Sequence, residues 1–256
     1  LRDGVELNEV NIVTRKLGTM KLRSSVMNED MISSAELSRA ACCNLGESFV
    51  TNPSVDVSYS DAATGAKQIK LLGLSGTYVQ MLTENIPNYR GAAAPYGLGY
   101  VPGPWMQSIQ VSKGTSSVKN GYEAITGQIN VEFKKPQLPE ADWVSANLFA
   151  STTNRYEANA DATLKLSKRW STSLLAHYEN ETKAHDGNDD GFVDIPQVEQ
   201  YNVWNRWAYM GDHYVFQAGI KALSETRTSG QANHGGTMHS GDLYNCLLYT
   251  SPSPRD

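Results

Sequence analysis

The residues best suited to chemistry in this sequence lie in an acidic loop that could bind a metal ion. Its oxygen-bearing side chains belong to Asp186, Asn188, Asp190 and Asp194. They follow the D-x-N-x-D-G-x-x-D spacing of a calcium loop, in which Gly191 permits the sharp bend. Gln197 stands where such loops usually have their last, bidentate carboxylate. Two interpretations stay open, a Ca²⁺ site in residues 186–194 and an acidic solvated loop, and no cofactor is otherwise required.

A second group of metal-binding residue types, His234, Met238 and His239, lies among glycines near the C-terminal end. Imidazole and thioether groups can bind haem iron or copper, but histidines in a flexible glycine-rich loop are more often simply exposed. Cys42 and Cys43 are adjacent, which disfavours a disulfide between them, and no CxxC pair is present. We interpret both cysteines as small helix residues.

Motifs for bond-making chemistry are absent from the sequence, which contains no nucleophile elbow, phosphate-binding loop or HExxH. We therefore expect that the protein is not an enzyme. The net charge of −5, with both signs mixed along the chain, provides no basic surface for nucleic acid. No stretch approaches the roughly 20 apolar residues of a membrane-spanning helix, and the mean hydropathy of −0.43 suits a barrel as well as a soluble protein.

The first half of the chain predicts a linker and a small mixed α/β domain. Residues 1–27 are polar, and residues 28–136 combine a helical pattern at 28–45 with short β-prone runs. The runs are residues 55–57, 68–71, 78–82, 108–111 and 127–133. Residues 85–105 hold four prolines among glycines, which predicts an irregular loop.

The second half, residues 140–243, alternates apolar and polar side chains in five segments. The clearest places Tyr156, Ala158, Ala160, Ala162, Leu164 and Leu166 on one face and Glu157, Asn159, Asp161, Thr163 and Lys165 on the other. Membrane barrel strands of about 9–11 residues alternate in this way. Short turns at 167–169 and 211–213 alternate with longer polar loops at 182–199 and 226–243, as in outer-membrane barrels. Residues 244–256 match no structural period and are interpreted as a non-native tail.

Two stretches in the first half resemble the plug domain of TonB-dependent outer-membrane receptors, most closely the form found in Bacteroidetes. Residues 69–82 resemble the strand pair of that family, and residues 109–136 resemble its closing motif. In the second stretch, Gly114 and Gly127 permit backbone angles and close approaches that a side chain forbids. Where the family often has Asp-Gly-Ile/Met-Pro, this chain has Glu84-Asn85-Ile86-Pro87.

The resemblance implies an α+β plug domain followed by the first antiparallel strands of a transmembrane β-barrel, as a fragment of a 22-stranded barrel. We expect that the N-terminus and most of the barrel are missing. The implied function is energy-coupled uptake of a ferric siderophore, haem or cobalamin across the cell outer membrane. The implied partners are TonB, an extracellular metal-chelate or cobalamin-type ligand, and outer-membrane lipid. A glycan importer of the same architecture and a non-transporting surface binding protein remain alternatives.

The resemblance also implies two sets of functional residues. The β-prone residues Val10, Asn11, Ile12, Val13 and Thr14 are similar to a TonB box, whose extended backbone suits strand addition to a partner's sheet, although a plain linker explains them equally well. The apex of the plug would contact substrate through Asn88, Tyr89, Arg90, Tyr96, Tyr100 and Trp105. Such residues offer stacking area and directed donors, but the rings could instead pack against the barrel wall.

Overall fold

A computed structural model describes residues 19–21, 28–40, 43–49, 52–61, 64–74, 76–115, 123–136, 143–189, 191–230 and 245–250. These residues form two six-stranded sheets and a separate two-stranded hairpin. Among these residues, no helix is both long enough and apolar enough to cross a membrane.

The first sheet belongs to the plug region, residues 19–136. Its strands are β1 (Thr19–Lys21), β2 (Asn28–Ser33), β5 (Val79–Thr83), β6 (Ile86–Pro87), β7 (Met106–Lys113) and β8 (Gly127–Phe133). They are arranged in the order β1-β2-β7-β8-β5-β6, with β5 and β8 parallel and all other pairs antiparallel. Beside them lie the hairpin of β3 (Val55–Asp61) and β4 (Ala66–Leu71) and the short helices α1 (Ser34–Ala40) and α2 (Ala94–Gly97).

The plug core is built around β8, in which every residue except Glu132 is buried. Ile129, Val131 and Phe133 form one row that packs into the apolar core, while the opposite row is polar, and there Asn130 donates to Gln110 at 3.3 Å and to Glu132 at 3.0 Å. Only glycine fits at position 127, because the backbone of Ser112 lies so close that a Cβ atom there would be 2.1 Å from the Ser112 carbonyl oxygen. The close approach expected of Gly127 is thus present.

Two predictions about the plug region are wrong. Residues 28–33 form strand β2 rather than the start of a helix, because their backbone pairs with β7 in a register that joins Ile32 to Ile109. The helix begins only at Ser34 and ends at Ala40, so buried Cys43 lies beyond it. Residues 85–105 are not a continuous irregular loop, since they contain β6, α2 and two 3-10 turns.

The second sheet, here called the strand wall, contains β9 (Val144–Ala150), β10 (Tyr156–Lys165), β11 (Trp170–Glu181), β12 (Gln197–Met210), β13 (Val215–Gly230) and β14 (Asn245–Thr250). Each strand pairs antiparallel with the next one in the sequence. Pairing of Gln197 with Thr228 lengthens β12 and β13 beyond the predicted strands, so the first long loop ends at residue 196. Residues 245–250 pair with β13, and the non-native origin of the tail stays a prediction.

The strand wall has inverted polarity, with polar side chains buried and apolar side chains exposed. On β10, Glu157 and Asn159 are only 3% and 4% exposed, because they face the plug. On the opposite face, Leu148 of β9 is 82% exposed and Ile220 of β13 is 79% exposed. The alternation that the sequence predicts is therefore present, and its apolar row points away from the protein interior, as in a membrane barrel.

Candidate functional site

The strand wall is joined to the plug by a buried ion pair between Arg206 on β12 and Glu84. The two guanidinium nitrogens Nη1 and Nη2 donate to the two carboxylate oxygens at 2.6 and 2.9 Å. Arg206 also donates to the carbonyl oxygen of Lys134 at 3.3 Å, and its guanidinium lies 5.1 Å from the ring centre of Trp204. This bidentate geometry fixes both the position and the orientation of the plug turn against the wall.

A two-residue hairpin turn between β5 and β6 presents Glu84 to the wall. Glu84 and Asn85 have φ angles of +52° and +65°, which is the left-handed pair that a type I′ turn requires. The amide of Asn85 donates to the side-chain oxygen of Asn130 at 2.8 Å, and the amide of Glu84 donates to the carbonyl of Val131 at 2.9 Å. Glu84-Asn85 thus forms a two-residue turn at the position where the sequence departs from Asp-Gly.

A second ion pair joins the wall to the end of the plug domain. The ammonium of Lys134, just after β8, lies 2.9 Å from a carboxylate oxygen of Asp161 on β10. Ser145 on β9 donates to the same oxygen. Two neighbouring strands therefore hold the point at which the chain leaves the plug.

A cavity of about 270 Å³ lies between the plug and the wall. The plug contributes residues of the β3–β4 hairpin and of the α2 segment, and the wall contributes the ends of β11, β12 and β13. The longer loop 182–196 joins β11 to β12 at this end, whereas the short turns after β10 and β12 lie at the opposite end. The lining residues used below are Glu47, Tyr59, Lys67, Tyr96, Arg155, Glu179, Glu181, Glu225 and Arg227.

Two of the three cations in this lining are neutralised by carboxylates. Arg155 forms ion pairs with Glu47 at 3.0 Å, Glu157 at 2.6 Å and Glu179 at 3.0 Å. Arg227 forms an ion pair with Glu225 at 3.0 Å and donates to the carbonyl of Thr64 at 2.9 Å. Because Glu47 and Thr64 belong to the plug, both arginines also join the plug to the wall.

The remaining cation, Lys67 on β4, forms no hydrogen bond or ion pair with any residue that the structure describes. Its ammonium lies 5.5 Å from the ring centre of Tyr59. Burial lowers the pKa of Lys67, and the nearby carboxylate of Glu47 offsets part of that effect. On the wall side, the carboxylate of Glu181 is likewise without a partner among the described residues.

The structure distributes the predicted apex residues over different environments. Tyr96 lines the 270 Å³ cavity, and the guanidinium of Arg227 lies 5.3 Å from its ring centre. Arg90 is exposed, forms an ion pair with Glu123 at 2.8 Å and borders a separate cavity of about 370 Å³. Asn88 donates to the hydroxyl of Thr83 at 3.2 Å, within the plug.

Three other apex residues, Tyr89, Tyr100 and Trp105, lie where the plug meets the wall. The ammonium of Lys221 on β13 donates to the hydroxyl of Tyr89 at 2.7 Å and to the carbonyl of Tyr100 at 3.1 Å. Trp105 is fully buried with its ring edge-on to Phe133, and desolvation raises the pKa of Tyr89. These rings pack as wall contacts, and their direct contact with substrate stays a prediction.

The acidic loop has two of its carboxylates engaged by its own backbone. The amide of Gly191 donates to Asp186 at 2.8 Å, and the amide of Gly187 donates to Asp194 at 2.6 Å. Asp190 lies outside the described residues, and in the described part of the chain no three His, Cys, Asp or Glu residues are grouped to hold a metal ion. Ca²⁺ binding stays a prediction. Residues 10–14 and the group of His234, Met238 and His239 also lie outside the described residues.

The ion pairs that join the plug to the wall could not be predicted from the sequence. Alternation along the strands did place Glu157 and Asp161 on the inward row, and the same rule places Arg206 there. The partner of Arg206 is 122 residues away, and no local pattern marks a contact at that separation. Lys67 gave no signal because it lies just before the β-prone run 68–71 and resembles Lys70, the other lysine of the same short segment.

Residues 21–128 match the family model described as the TonB-dependent receptor plug domain. This match identifies residues 21–128 as a TonB-dependent receptor plug domain, and the strands that follow it have the inverted polarity of membrane barrel strands. These findings indicate a location in the outer membrane. The number of strands in the whole barrel stays a prediction.

Particular relatives agree with this family. The chain is 24% identical over 185 residues to the vitamin B12 transporter BtuB of Vibrio vulnificus (strain CMCP6), covering 72% of this chain and 30% of that protein. The ferric yersiniabactin uptake receptor FyuA from Yersinia pestis has a similar structure over 80% of this chain and 32% of its own, with a TM-score of 0.61 and 15% identity. FpvA of P. aeruginosa, solved with bound pyoverdines, matches 88% of this chain and 29% of its own, with a TM-score of 0.64 and 14% identity. The chain thus spans about a third of the length of these relatives.

Proposed function

We propose that the complete protein is a TonB-dependent transporter that takes up a metal complex, such as a ferric siderophore, haem or cobalamin, through the outer membrane. The main support is the inverted polarity of the strand wall. A row containing Glu157 and Asp161 is buried only because the plug covers it, while the opposite row offers an apolar surface to lipid. The relatives named above are described as a vitamin B12 transporter, a ferric yersiniabactin uptake receptor and a protein bound to pyoverdine and iron, which favours a metal complex as cargo.

Ligand capture would take place at the cavity end of the wall. In outer-membrane barrels the longer loops face the outside of the cell, and loop 182–196 lies at this end. A ligand entering there meets the β3–β4 hairpin and the α2 segment of the plug. The plug then separates the ligand from the far side of the barrel, so passage requires the plug to move.

Movement of the plug would be driven by TonB through residues 10–14. An extended, β-prone segment can add as a strand to the exposed sheet edge of a partner. The chain runs from this segment into β1, at the outer edge of the plug sheet, so a pull on it acts on the plug directly.

The test is growth of a strain in which the intact gene is deleted, under iron limitation and under cobalamin limitation. We expect a growth defect under one of these conditions that the intact gene restores. A matched gene lacking only the codons for residues 10–14 should restore ligand binding to cells but not growth. Normal growth of the deletion strain under both conditions, with a defect on a glycan as carbon source, would instead identify a glycan importer. Recovery of the full-length protein in soluble or shed fractions would contradict any transport role.

A further inference from the structure

Glu181 is the last residue of β11 and belongs to the inward row of the strand wall. Only 7% of its surface is exposed, and it lines the cavity of about 270 Å³ between plug and wall. It forms no hydrogen bond or ion pair with any residue that the structure describes. Arg155 and Lys67 attract its carboxylate only from beyond ion-pair distance. A buried carboxylate without a direct donor is unfavourable, so a ligand that donates to it removes that cost.

Negative charge exceeds positive charge around this cavity. The three cations in its lining are Lys67, Arg155 and Arg227. Five carboxylates line the cavity or pair directly with one of these cations, and they belong to Glu47, Glu157, Glu179, Glu181 and Glu225. The carboxylates therefore outnumber the cations even when every ion pair is formed. A positively charged occupant is favoured over a negatively charged one, because the low-dielectric walls strengthen both attraction and repulsion.

Other residues of the lining also suit a cation that donates hydrogen bonds. The side-chain nitrogen of Gln200 donates to Glu225 at 2.8 Å, which leaves the Gln200 side-chain oxygen without a donor among the described residues. Tyr59 and Tyr96 line the same cavity, and the negative faces of aromatic rings attract positive charge. Each of these rings already has a cationic side chain of the protein within 5.5 Å of its centre.

An organic cation fits this cavity better than a bare metal ion. Within the described residues, no three His, Cys, Asp or Glu side chains are grouped to hold a metal ion. An ammonium or guanidinium group needs only one carboxylate and a further acceptor, and Glu181 and Gln200 provide these. A volume of about 270 Å³ is below the roughly 300–1,000 Å³ of pockets that enclose a whole small ligand. The cavity therefore has room for one arm of a larger ligand.

We propose that the carboxylate of Glu181 binds an ammonium or guanidinium arm of the transported metal complex, so that the receptor prefers a complex with a cationic arm to one with a neutral or anionic arm. The inference rests on the transport function proposed above. The cavity lies at the end of the wall that carries the longer loop 182–196, where that function places ligand entry. Arg155 and Arg227 engage the other carboxylates, so Glu181 is the group that selects the charge of the arm.

The experiment measures binding of the arm alone to the purified full-length receptor in detergent, by saturation-transfer NMR. The probes are n-butylammonium, 1-butanol and butyrate, which have chains of similar length and carry a positive charge, no charge and a negative charge. The variants are Glu181→Gln, which removes the charge, Glu181→Asp, which keeps it, and Lys67→Met, which removes a cation from the lining. Glu199→Gln is the matched control, because Glu199 follows the β12 residue that pairs with Glu181, lies on the opposite face of the wall and does not line the cavity.

We expect n-butylammonium to bind the wild-type receptor more tightly than the other two probes. Glu181→Gln should weaken that binding about tenfold, as expected for loss of one charge-assisted hydrogen bond, and should leave 1-butanol binding unchanged. Glu181→Asp should bind n-butylammonium within a few-fold of wild type, and Glu199→Gln should be unchanged. Lys67→Met should bind it at least as tightly, because a like charge has been removed. Gel mobility of the unheated barrel verifies that each variant is folded.

The possible results separate this inference from the proposed function. Wild-type binding of n-butylammonium no tighter than that of 1-butanol, or a preference for butyrate, overturns the selectivity for a cationic arm. Unchanged n-butylammonium binding in Glu181→Gln overturns the role of Glu181, and so does equal weakening by Glu181→Gln and Glu199→Gln. Weaker binding in Lys67→Met contradicts the charge balance on which the inference depends. All of these outcomes leave transport intact, whereas normal growth of the deletion strain under iron and cobalamin limitation counts against metal-complex transport itself.

Discussion

The ion pair between Glu84 and Arg206 should contribute strongly to the stability of the plug in the wall. Both side chains are largely removed from solvent, with 19% and 6% of their side-chain surfaces exposed. Removing one partner of a buried pair leaves an uncompensated charge and typically costs about 3–5 kcal/mol. We take the lower end of that range because Glu84 retains some solvent contact, so Glu84→Gln and Arg206→Met should each lose about 3 kcal/mol of unfolding free energy.

The double variant distinguishes a true pair from two independent contributions. With both charges removed no group is left uncompensated, so the double variant should lose at most about 3 kcal/mol rather than about 6, a coupling of about 3 kcal/mol or more. Arg206→Lys keeps the charge but loses the two-pronged geometry, and an intermediate loss is expected. The exposed pair of Arg169 and Asp212, 53% and 72% exposed, is the matched control, and breaking it should cost less than about 1 kcal/mol.

The assay is equilibrium urea unfolding of the refolded full-length receptor in detergent, followed by tryptophan fluorescence. Trp204, whose ring centre lies 5.1 Å from the Arg206 guanidinium, reports directly on this contact. The reasoning is refuted if the losses of the two single variants add up in the double variant. It is equally refuted if breaking the exposed Arg169 pair costs as much as breaking the buried one.

Three other predictions follow from the same structure. Gly127→Ala should destabilise the plug by roughly 3 kcal/mol in urea unfolding, because its Cβ would lie 2.1 Å from a backbone oxygen; wild-type stability would contradict the close approach. Leu148→Arg should cost about 2–4 kcal/mol in lipid bilayers if its row faces hydrocarbon, whereas a cost near zero would indicate that this row faces water. Burial lowers the pKa of Lys67 in the folded protein below its value of 10.5 in the unfolded chain. At neutral pH the lysine is charged in both states, and burying the charge lowers the free energy of unfolding. This loss of stability decreases as pH rises from the folded pKa towards 10.5. Lys67→Met should therefore be more stable than wild type at pH 7, and urea unfolding at several pH values should show this difference shrinking towards pH 10; a constant difference would contradict the shift.

The sequence was sufficient to predict the strands that have a different environment on each face. The strand wall separates lipid from a polar interior, so alternation located β9 and β10 almost to the residue. Residues 28–33 could not be assigned in the same way. The buried side chains of Asp30 and Ile32 share one face of the strand, but this pattern covers too few residues to outweigh the helical pattern that follows. Pairing with β7, nearly 80 residues away, decides the structure of that segment.

The candidate site was predicted less completely, because its charged groups act across long separations. The apex residues were proposed from residue type, and only Tyr96 lines the cavity between plug and wall. Trp105 has the type expected of a ligand contact, but the edge of Phe133 covers it. Lys67 became recognisable only once the neighbouring charges could be paired with one another in three dimensions.

The strand order of the plug also determines how the domain would respond to tension. Strand β1 is at one edge of its sheet and is held by three residue pairs to β2, which is held by six pairs to β7. A pull on the chain ahead of β1 would separate β1 from β2 first and β2 from β7 next, so the strand pairs would break one after the other and not all at once. The hairpin of β7 and β8 is the last to feel the load, and its distal end is tied to the wall through Lys134. Mechanical work done at one end of the plug would thus open a passage stepwise while the other end stays anchored.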